Sequence, residues 1–318
     1  MSFRPKISVL IPTYQYGRFL PEAIESVLVQ DYADFEILIS DDASRDDSAE
    51  VIRAYAARDP RIRFQLQAKN LGMVSNWNWC LAEARGDYVK YLFGDDRLTS
   101  PTTLGRMVSM LENEPRAVLA ATARVILDAD SQQTEVWDEA GAPGFHAGPA
   151  ILYRCIRRDR NVVGEPSAVM FRRAAAGRGF DPSFRQLVDE EMWFHLLGDG
   201  GMVYASEPLC AFRQHEAQQT VANRKQQVAS AEMMRIAARY FEELAACEGV
   251  KPGSFKMRRR IARHIYYSRK DCPPSPLIAA AEADLMAKLG RRWYFIFWLL
   301  HRATKPIENL CRSFRRQR

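Results

Sequence analysis

The sequence predicts an α/β fold: a mostly parallel sheet with helices on both faces, followed by a helical C-terminal region. Three observations predict it. Short apolar runs alternate with amphipathic stretches through the first 125 residues, the pattern of strand–crossover–strand units. The runs are continuous rather than alternating, as strands covered on both faces must be. Beyond about Ala222 strand signals cease, and helical stretches interrupted by Pro252, Pro273, Pro274, Pro276 and Pro306 take over.

Ile7 to Ile11 reads as a buried strand closed by Pro12, and a helix follows with Leu20, Ile24, Val27 and Leu28 on one face. Phe35 to Ser40 is a second strand ending in Asp41-Asp42. Ser44 to Arg58 is a helix whose first turn carries Asp46 and Asp47. Arg61 to Leu66 is a third strand, Met73 to Ala84 a helix, and Asp87 to Phe93 a fourth strand ending at Gly94-Asp95-Asp96. Pro101 opens a helix that ends near Pro115, and Ala117 to Ala123 is a strand. After Ala129 the pattern loosens: Gly141 to Gly148 is a loop, Ser167 to Phe171 a short strand and Gln186 to Leu197 a helix. Met202 to Phe212 carries two short strand signals. The remainder reads as about four helices, so the chain divides into 1–221 and 222–318.

An apolar fraction of 47% and a charged fraction of 26% exclude disordered, collagenous and disulfide-scaffold classes. Cys80, Cys155, Cys210, Cys247, Cys272 and Cys311 form no Cys-x-x-Cys pair and no zinc-type spacing with histidine. Scattered thiols point to a reducing compartment. Met1 to Lys6 lacks the apolar stretch of a secretory signal, so the expected location is the cytoplasm.

Charge is uneven. Between 291 and 318 eight Arg or Lys face one acid, Glu308, giving +7 against +6 for the whole chain. The body is therefore near −1 and is no nucleic-acid binder. Trp293 to Leu300 is an apolar run of eight residues, about 12 Å as a helix and too short for a ~30 Å bilayer core. Ile307, Leu310, Cys311 and Phe314 then continue a stripe against Arg312, Arg315, Arg316 and Arg318. That arrangement suits a helix lying on an anionic membrane, placing the chain peripherally on the inner face. Packing on the body or a homodimer contact is the alternative.

Acidic or polar loops follow three strand ends, and in an open α/β sheet those ends line one crevice. Asp41-Asp42 and Asp95-Asp96 each read, alone, as a turn or a helix cap. Two such pairs in one α/β unit are harder to set aside, and Asp95-Asp96 offers hard oxygens suited to Mg²⁺ or Mn²⁺. Such a cation would neutralise a leaving diphosphate.

Val9-Leu10-Ile11-Pro12-Thr13-Tyr14, Ser40-Asp41-Asp42-Ala43-Ser44-Arg45-Asp46, Asn70-Leu71-Gly72 and Gly94-Asp95-Asp96 occur in that order. Gly164 to Arg173, Gly179 to Phe184, Asp189 to Leu196 and Phe212-Arg213-Gln214-His215 follow. As an ordered set these segments resemble the inverting family 2 glycosyltransferases, which have the GT-A fold, over roughly residues 5–220. The resemblance implies a nucleotide-binding half at about 1–125 and an acceptor-binding half at about 126–221. It places Pro12, Thr13, Tyr14, Asp42, Asn70, Gly72 and Asp95 around the nucleotide, with Asp95 at the ribose or sugar, and Asp96 and His215 at the metal or diphosphate. A carboxylate at Asp42 suits a ring N–H, hence uracil or thymine over cytosine, with guanine still open.

The same resemblance makes Asp189 the general base. Val188 stands where the family usually has Glu, which leaves Glu190 as a rival. Gly164 and Glu190 fall in the loop facing the donor sugar and acceptor. Plainer roles stay open: Asp189, Glu190 and Glu191 as helix-start acids, His215 as a packed side chain, Gly164 as a turn glycine. Phe93-Gly94-Asp95-Asp96 also lacks the first acid of the family's Asp-x-Asp-Asp. The implied reaction moves a sugar from a nucleotide diphosphate, UDP favoured, to a glycan or lipid-linked hydroxyl in bacterial cell-surface polysaccharide synthesis. A nucleotidyltransferase is the first alternative, although Pro12 to Gly17 has no Gly-rich loop with Arg and Lys. A non-catalytic, membrane-attached scaffold is the second.

Overall fold

The computed structural model describes residues 4–158, 160–216, 228–240 and 276–289. The chain forms two compact units, 1–218 and 219–318.

The first unit is built on β1 (Ile7–Thr13), β2 (Phe35–Asp41), β3 (Ile62–Leu66) and β4 (Tyr88–Tyr91). β1 and β2 are buried along their whole length, which is why they carry Val, Leu and Ile at consecutive positions. Helices α1 (Leu20–Leu28), α2 (Ser48–Ala56) and α3 (Met73–Glu83) make the crossovers. α1 turns Leu20, Ala23, Ile24 and Val27 into the core. α2 begins at Ser48, later than the sequence pattern predicts. Ala43 takes a left-handed φ of 60°, and the Asp46 carboxylate caps Ser48 by accepting from its N–H and hydroxyl.

The remaining strands are β5 (Arg97–Leu98), β6 (Ala117–Leu127), β7 (Gln133–Trp137), β8 (Gly144–Ala147), β9 (Val169–Arg172) and β10 (Gly201–Arg213). Helices α4 (Thr103–Asn113), α5 (Gly148–Arg158) and α6 (Val188–Gly198) lie between them. The sheet order is β3-β2-β1-β4-β9-β6-β10-β5, with β7 on β6 and β8 on β10. β1 pairs in parallel with β2 and β4, and β2 with β3. β9 is antiparallel to both β4 and β6, and β10 runs parallel to β6. Six strands therefore end on one edge, and the reversed β9 starts there.

Several predicted elements change. The strand expected at Ala117 to Ala123 runs on to Leu127, and the two signals in Met202 to Phe212 are one long strand. Its pairing with β6 shifts register around Ala205, Pro208 and Cys210, since proline cannot donate to the ladder. The expected loop at Gly141 to Gly148 contains β8, and α5 follows it. β7 was illegible because its side chains face solvent, so no apolar alternation marks it.

In the second unit α7 (Val228–Arg239) and α8 (Pro276–Leu289) pack together. Met233, Met234 and Ile236 of α7 are buried. Among the described residues no helix is long and apolar enough to cross a membrane. The basic tail at 291–318 lies outside the described residues, as do most of the expected C-terminal helices.

Candidate active site

The crevice lies where β1, β2, β4, β6 and β10 end and β9 begins. At the β1–β2 end the loops are tied to each other. Asp42 N–H donates to Thr13 O at 3.0 Å, Gln15 N–H to Ser44 Oγ at 2.7 Å, and Gly17 N–H to Asp46 Oδ2 at 2.9 Å. Gln15 and Ala43 both hold positive φ, 56° and 60°, and strain of this kind persists only where the surroundings enforce it. The buried Asp42 carboxylate accepts from Leu71 N–H at 2.6 Å and Gly72 N–H at 3.0 Å. Asn70 closes the ring, donating to Asp42 O and accepting from Gly72. Pro12 is buried beside them, and Tyr14 stands out into solvent, 42% exposed. The structure thus brings Pro12, Thr13, Asp42, Asn70 and Gly72 together. Among the described residues, two buried oxygens at this end, Thr13 Oγ1 and Asp41 Oδ1, have no hydrogen-bond partner.

Asp95 and Asp96 follow β4. His215 Nε2 lies 3.1 Å from Asp95 Oδ2, and its ring packs on Phe19 at 5.1 Å and edge-on to Tyr16 at 5.6 Å. The Tyr16 hydroxyl bonds Asp95, and burial, then Asp95 and Asp96, push its pKa well up. Asp96 is 1% exposed. Its Oδ1 accepts from Arg213 N–H at 2.9 Å, and its Oδ2 from the Ser167 hydroxyl. Burial, followed by the charge of Asp95, pushes the Asp96 carboxyl well above the usual carboxylate range. Negative charge packed this way is what a divalent cation relieves, and hard oxygens beside an imidazole suit Mn²⁺ or Mg²⁺. Among the described residues no three His, Cys, Asp or Glu side chains stand ready to hold a metal unaided. A cation here would need further ligands, which a diphosphate and water could supply.

Asp189 opens α6. Asn161 Nδ2 donates to its Oδ2 at 3.1 Å and also to Gly164 O. Trp193 Nε1–H donates to the same carbonyl at 2.9 Å. Gly164 holds φ 115°, and a Cβ there would come 3.1 Å from Ala168 Cβ and 3.4 Å from Arg124 Nη1. Asp189 keeps some solvent access, yet burial, with the Glu165 charge second, pushes its carboxyl up to about 7. Glu190 is 1% exposed and lies near Cys155 on α5. One residue further along a helix, the Glu190 side chain points about 100° away from that of Asp189.

The sequence and the fold are similar to those of known proteins. The family described as Glycosyl transferase family 2 matches residues 8–180, more than half of the chain. The chain belongs to glycosyl transferase family 2. Over 97 residues it is 40% identical to a Campylobacter jejuni GalNAc(5)-diNAcBac-PP-undecaprenol beta-1,3-glucosyltransferase, a match spanning 30% of this chain and 31% of that enzyme. The structure is similar to Staphylococcus aureus TarS 1-349 in complex with UDP-GlcNAc, with TM-score 0.69 and 16% identity over 91% of this chain and 82% of TarS 1-349. It is also similar to the Pyrobaculum calidifontis mannosyltransferase PcManGT in complex with GDP-Man and Mn²⁺, with TM-score 0.56 and 15% identity over 94% of this chain and 87% of that one. The fold is GT-A.

This family 2 glycosyltransferase also uses residues that sequence reasoning passed over. Buried Arg124 pairs with Glu165 at 2.5 Å and Glu139 at 3.2 Å. Arg213, fully buried, holds Asp95 O at 2.8 Å, Asp128 O at 3.2 Å and Glu22 Oε2 at 2.5 Å. It thereby fixes the acidic loop against α1 and the β6–β7 turn. Arg213 and Glu165 stand inside the motif segments. Only a charged type beside Gly164 or two positions before His215 could have flagged them, and that signal is weak.

Proposed function

We propose that this glycosyltransferase is an inverting enzyme that moves a sugar from a nucleotide-diphosphate donor, a UDP-sugar in the favoured case, to a hydroxyl acceptor. Residues 1–125 form the nucleotide-binding half and 126–221 the acceptor half. One observation carries the reading. One short segment touches both ends: Asn161 donates to Asp189 and to Gly164 O, and Ser167, three positions after Gly164, donates to Asp96, which supports a single site for the leaving-group acid and the base.

Thr13, Asp42 and the Asn70 to Gly72 turn line the base pocket, and Asp95 meets the ribose or sugar. Asp96 and His215 would hold Mn²⁺ or Mg²⁺, which supplies positive charge to a departing diphosphate. Asp189, raised toward neutrality, accepts the proton of the acceptor hydroxyl. That oxygen bonds the anomeric carbon as the carbon–diphosphate bond breaks on the opposite face, and the electron pair leaves with the nucleoside diphosphate. Asn161 holds Asp189 in place, and Gly164 leaves room for the sugar.

UDP-GlcNAc on the similar TarS and the undecaprenol-linked substrate in the name of the Campylobacter relative support a UDP-sugar and a lipid-linked acceptor. Attachment of 291–318 to the inner face of an anionic membrane belongs to the same proposal. Family membership leaves the nucleotidyltransferase alternative without support. Thermal-shift measurements with UDP, GDP, CDP and dTDP, each with Mn²⁺, test the donor: UDP gives the largest shift and chelator removes it. If no nucleotide stabilises the protein, the proposal is wrong.

A further inference from the structure

The acidic loop is gripped from behind by two residues that the reaction above does not use. Ser167 is 0% exposed and sits in the 3₁₀ turn Pro166–Ala168. Because β9 runs against β4, this turn lands where β4 ends, directly behind the loop. The Ser167 hydroxyl accepts from Phe93 N–H at 3.1 Å and donates to Asp96 Oδ2. Asp96 N–H returns to Phe93 O at 3.0 Å. A single hydroxyl therefore bridges the two ends of Phe93-Gly94-Asp95-Asp96. With Arg213 N–H on Oδ1, both oxygens of the Asp96 carboxylate are held, and its rotation is restrained.

Ser167 is itself anchored. Lys90, also 0% exposed, donates through Nζ to Ser167 O and to Tyr91 O at 3.1 Å. Among the described residues its hydrogen bonds go to carbonyls alone, and its charge acts on Asp96 from inside the sheet. A buried ammonium carries a desolvation cost that a methionine of similar volume would avoid. Positive charge and a donor at the back of the acidic loop are what distinguish the two.

We propose that Ser167, anchored by Lys90, is the positioning residue that orients the Asp96 carboxylate for a divalent cation. This rests on the metal assignment made above. Groups that hydrogen-bond a metal's ligands typically change its affinity by about 10–100-fold when removed. A hydroxyl restraining one of the two oxygens falls in the lower part of that range.

The test uses the full chain and isothermal titration calorimetry of Mn²⁺ in the presence of UDP, with UDP alone in chelator as reference. Ser167→Ala weakens Mn²⁺ binding by about 10-fold, while UDP binding without metal stays within about twofold. Ser167→Thr, which keeps the hydroxyl, restores Mn²⁺ binding, and Lys90→Met weakens it in the same direction as Ser167→Ala. If Ser167→Ala fails to melt cooperatively, Ser167→Cys is measured instead, since a thiol fills the space but donates weakly. Wild-type Mn²⁺ affinity in a folded Ser167→Ala or Ser167→Cys protein overturns the proposal. So does an equal loss of UDP binding without metal, which would mark a collapsed pocket. Unchanged binding by Lys90→Met removes the anchoring role. Absence of Mn²⁺ binding by the wild type with UDP overturns instead the metal assignment itself.

Discussion

Replacing Asp189 with Asn separates two quantities that usually fall together, activity and stability. The Asp189 carboxyl sits at about 7 in the fold against an ordinary 3.8. The unfolded chain therefore releases this proton near pH 4, and the native protein holds it until near pH 7. Between those values unfolding releases a proton, so this group lowers stability progressively as pH rises from about 4 to about 7, and fully above 7. Three units at ~1.4 kcal/mol each set an upper figure of roughly 4 kcal/mol. The remaining solvent access of Asp189 reduces this to roughly 2 kcal/mol. Asn keeps the hydrogen bond to Asn161 without a charge to bury. The expected outcome is a protein that transfers no sugar yet melts about 4–8 °C higher than wild type at pH 8.5, with little difference at pH 4.5. Nucleoside diphosphate release measures the first, calorimetric melting at the two pH values the second, and nucleotide-induced thermal shift confirms retained donor binding. Transfer at the wild-type rate would falsify the role of base, and identical melting at pH 8.5 would show that Asp189 is not desolvated.

Other outcomes follow from the same geometry. The wild-type kcat/KM should rise with pH through an apparent pKa near 7, because only ionised Asp189 accepts a proton; a flat profile from pH 5.5 to 8.5 contradicts this. Glu165→Gln removes a negative neighbour of Asp189 and should move that limb to lower pH by roughly one unit. An unmoved limb detaches Glu165 from the base. Gly164→Ala places a Cβ 3.1 Å from Ala168 at a φ of 115°, and should cost about 1–3 kcal/mol in stability together with most of the transfer rate. Denaturant titration and the same release assay measure both.

Much of this site was legible because its chemistry is carried by residue type at strand ends. Asp42, Asp95 and Asp96 each follow a run of apolar residues, and strands of one direction deliver their ends to one edge. The fourth helix, the motif order and Asp189 at a helix start could likewise be read from the chain. Illegible were the partners: nothing in residues 161 to 167 states that Asn161 will hold Asp189 or that Ser167 will hold Asp96, because those bonds join segments 28 and 71 positions apart. Glu190 shows the same limit in reverse. Beside Asp189 in the chain, it is turned about 100° away around the helix and lies buried near Cys155.

The amino-acid sequence alone thus determined the α/β class, the sheet edge that carries the candidate site and the acids that populate it, since burial of continuous Val, Leu and Ile runs leaves a chain few other arrangements. Tertiary structure decided the reversal of β9. Lying antiparallel between β4 and β6, this strand turns its own start toward their ends and brings Ser167, in the turn before it, to the acidic loop. Strand direction depends on long-range pairing rather than local composition, so it became visible only once the sheet was assembled.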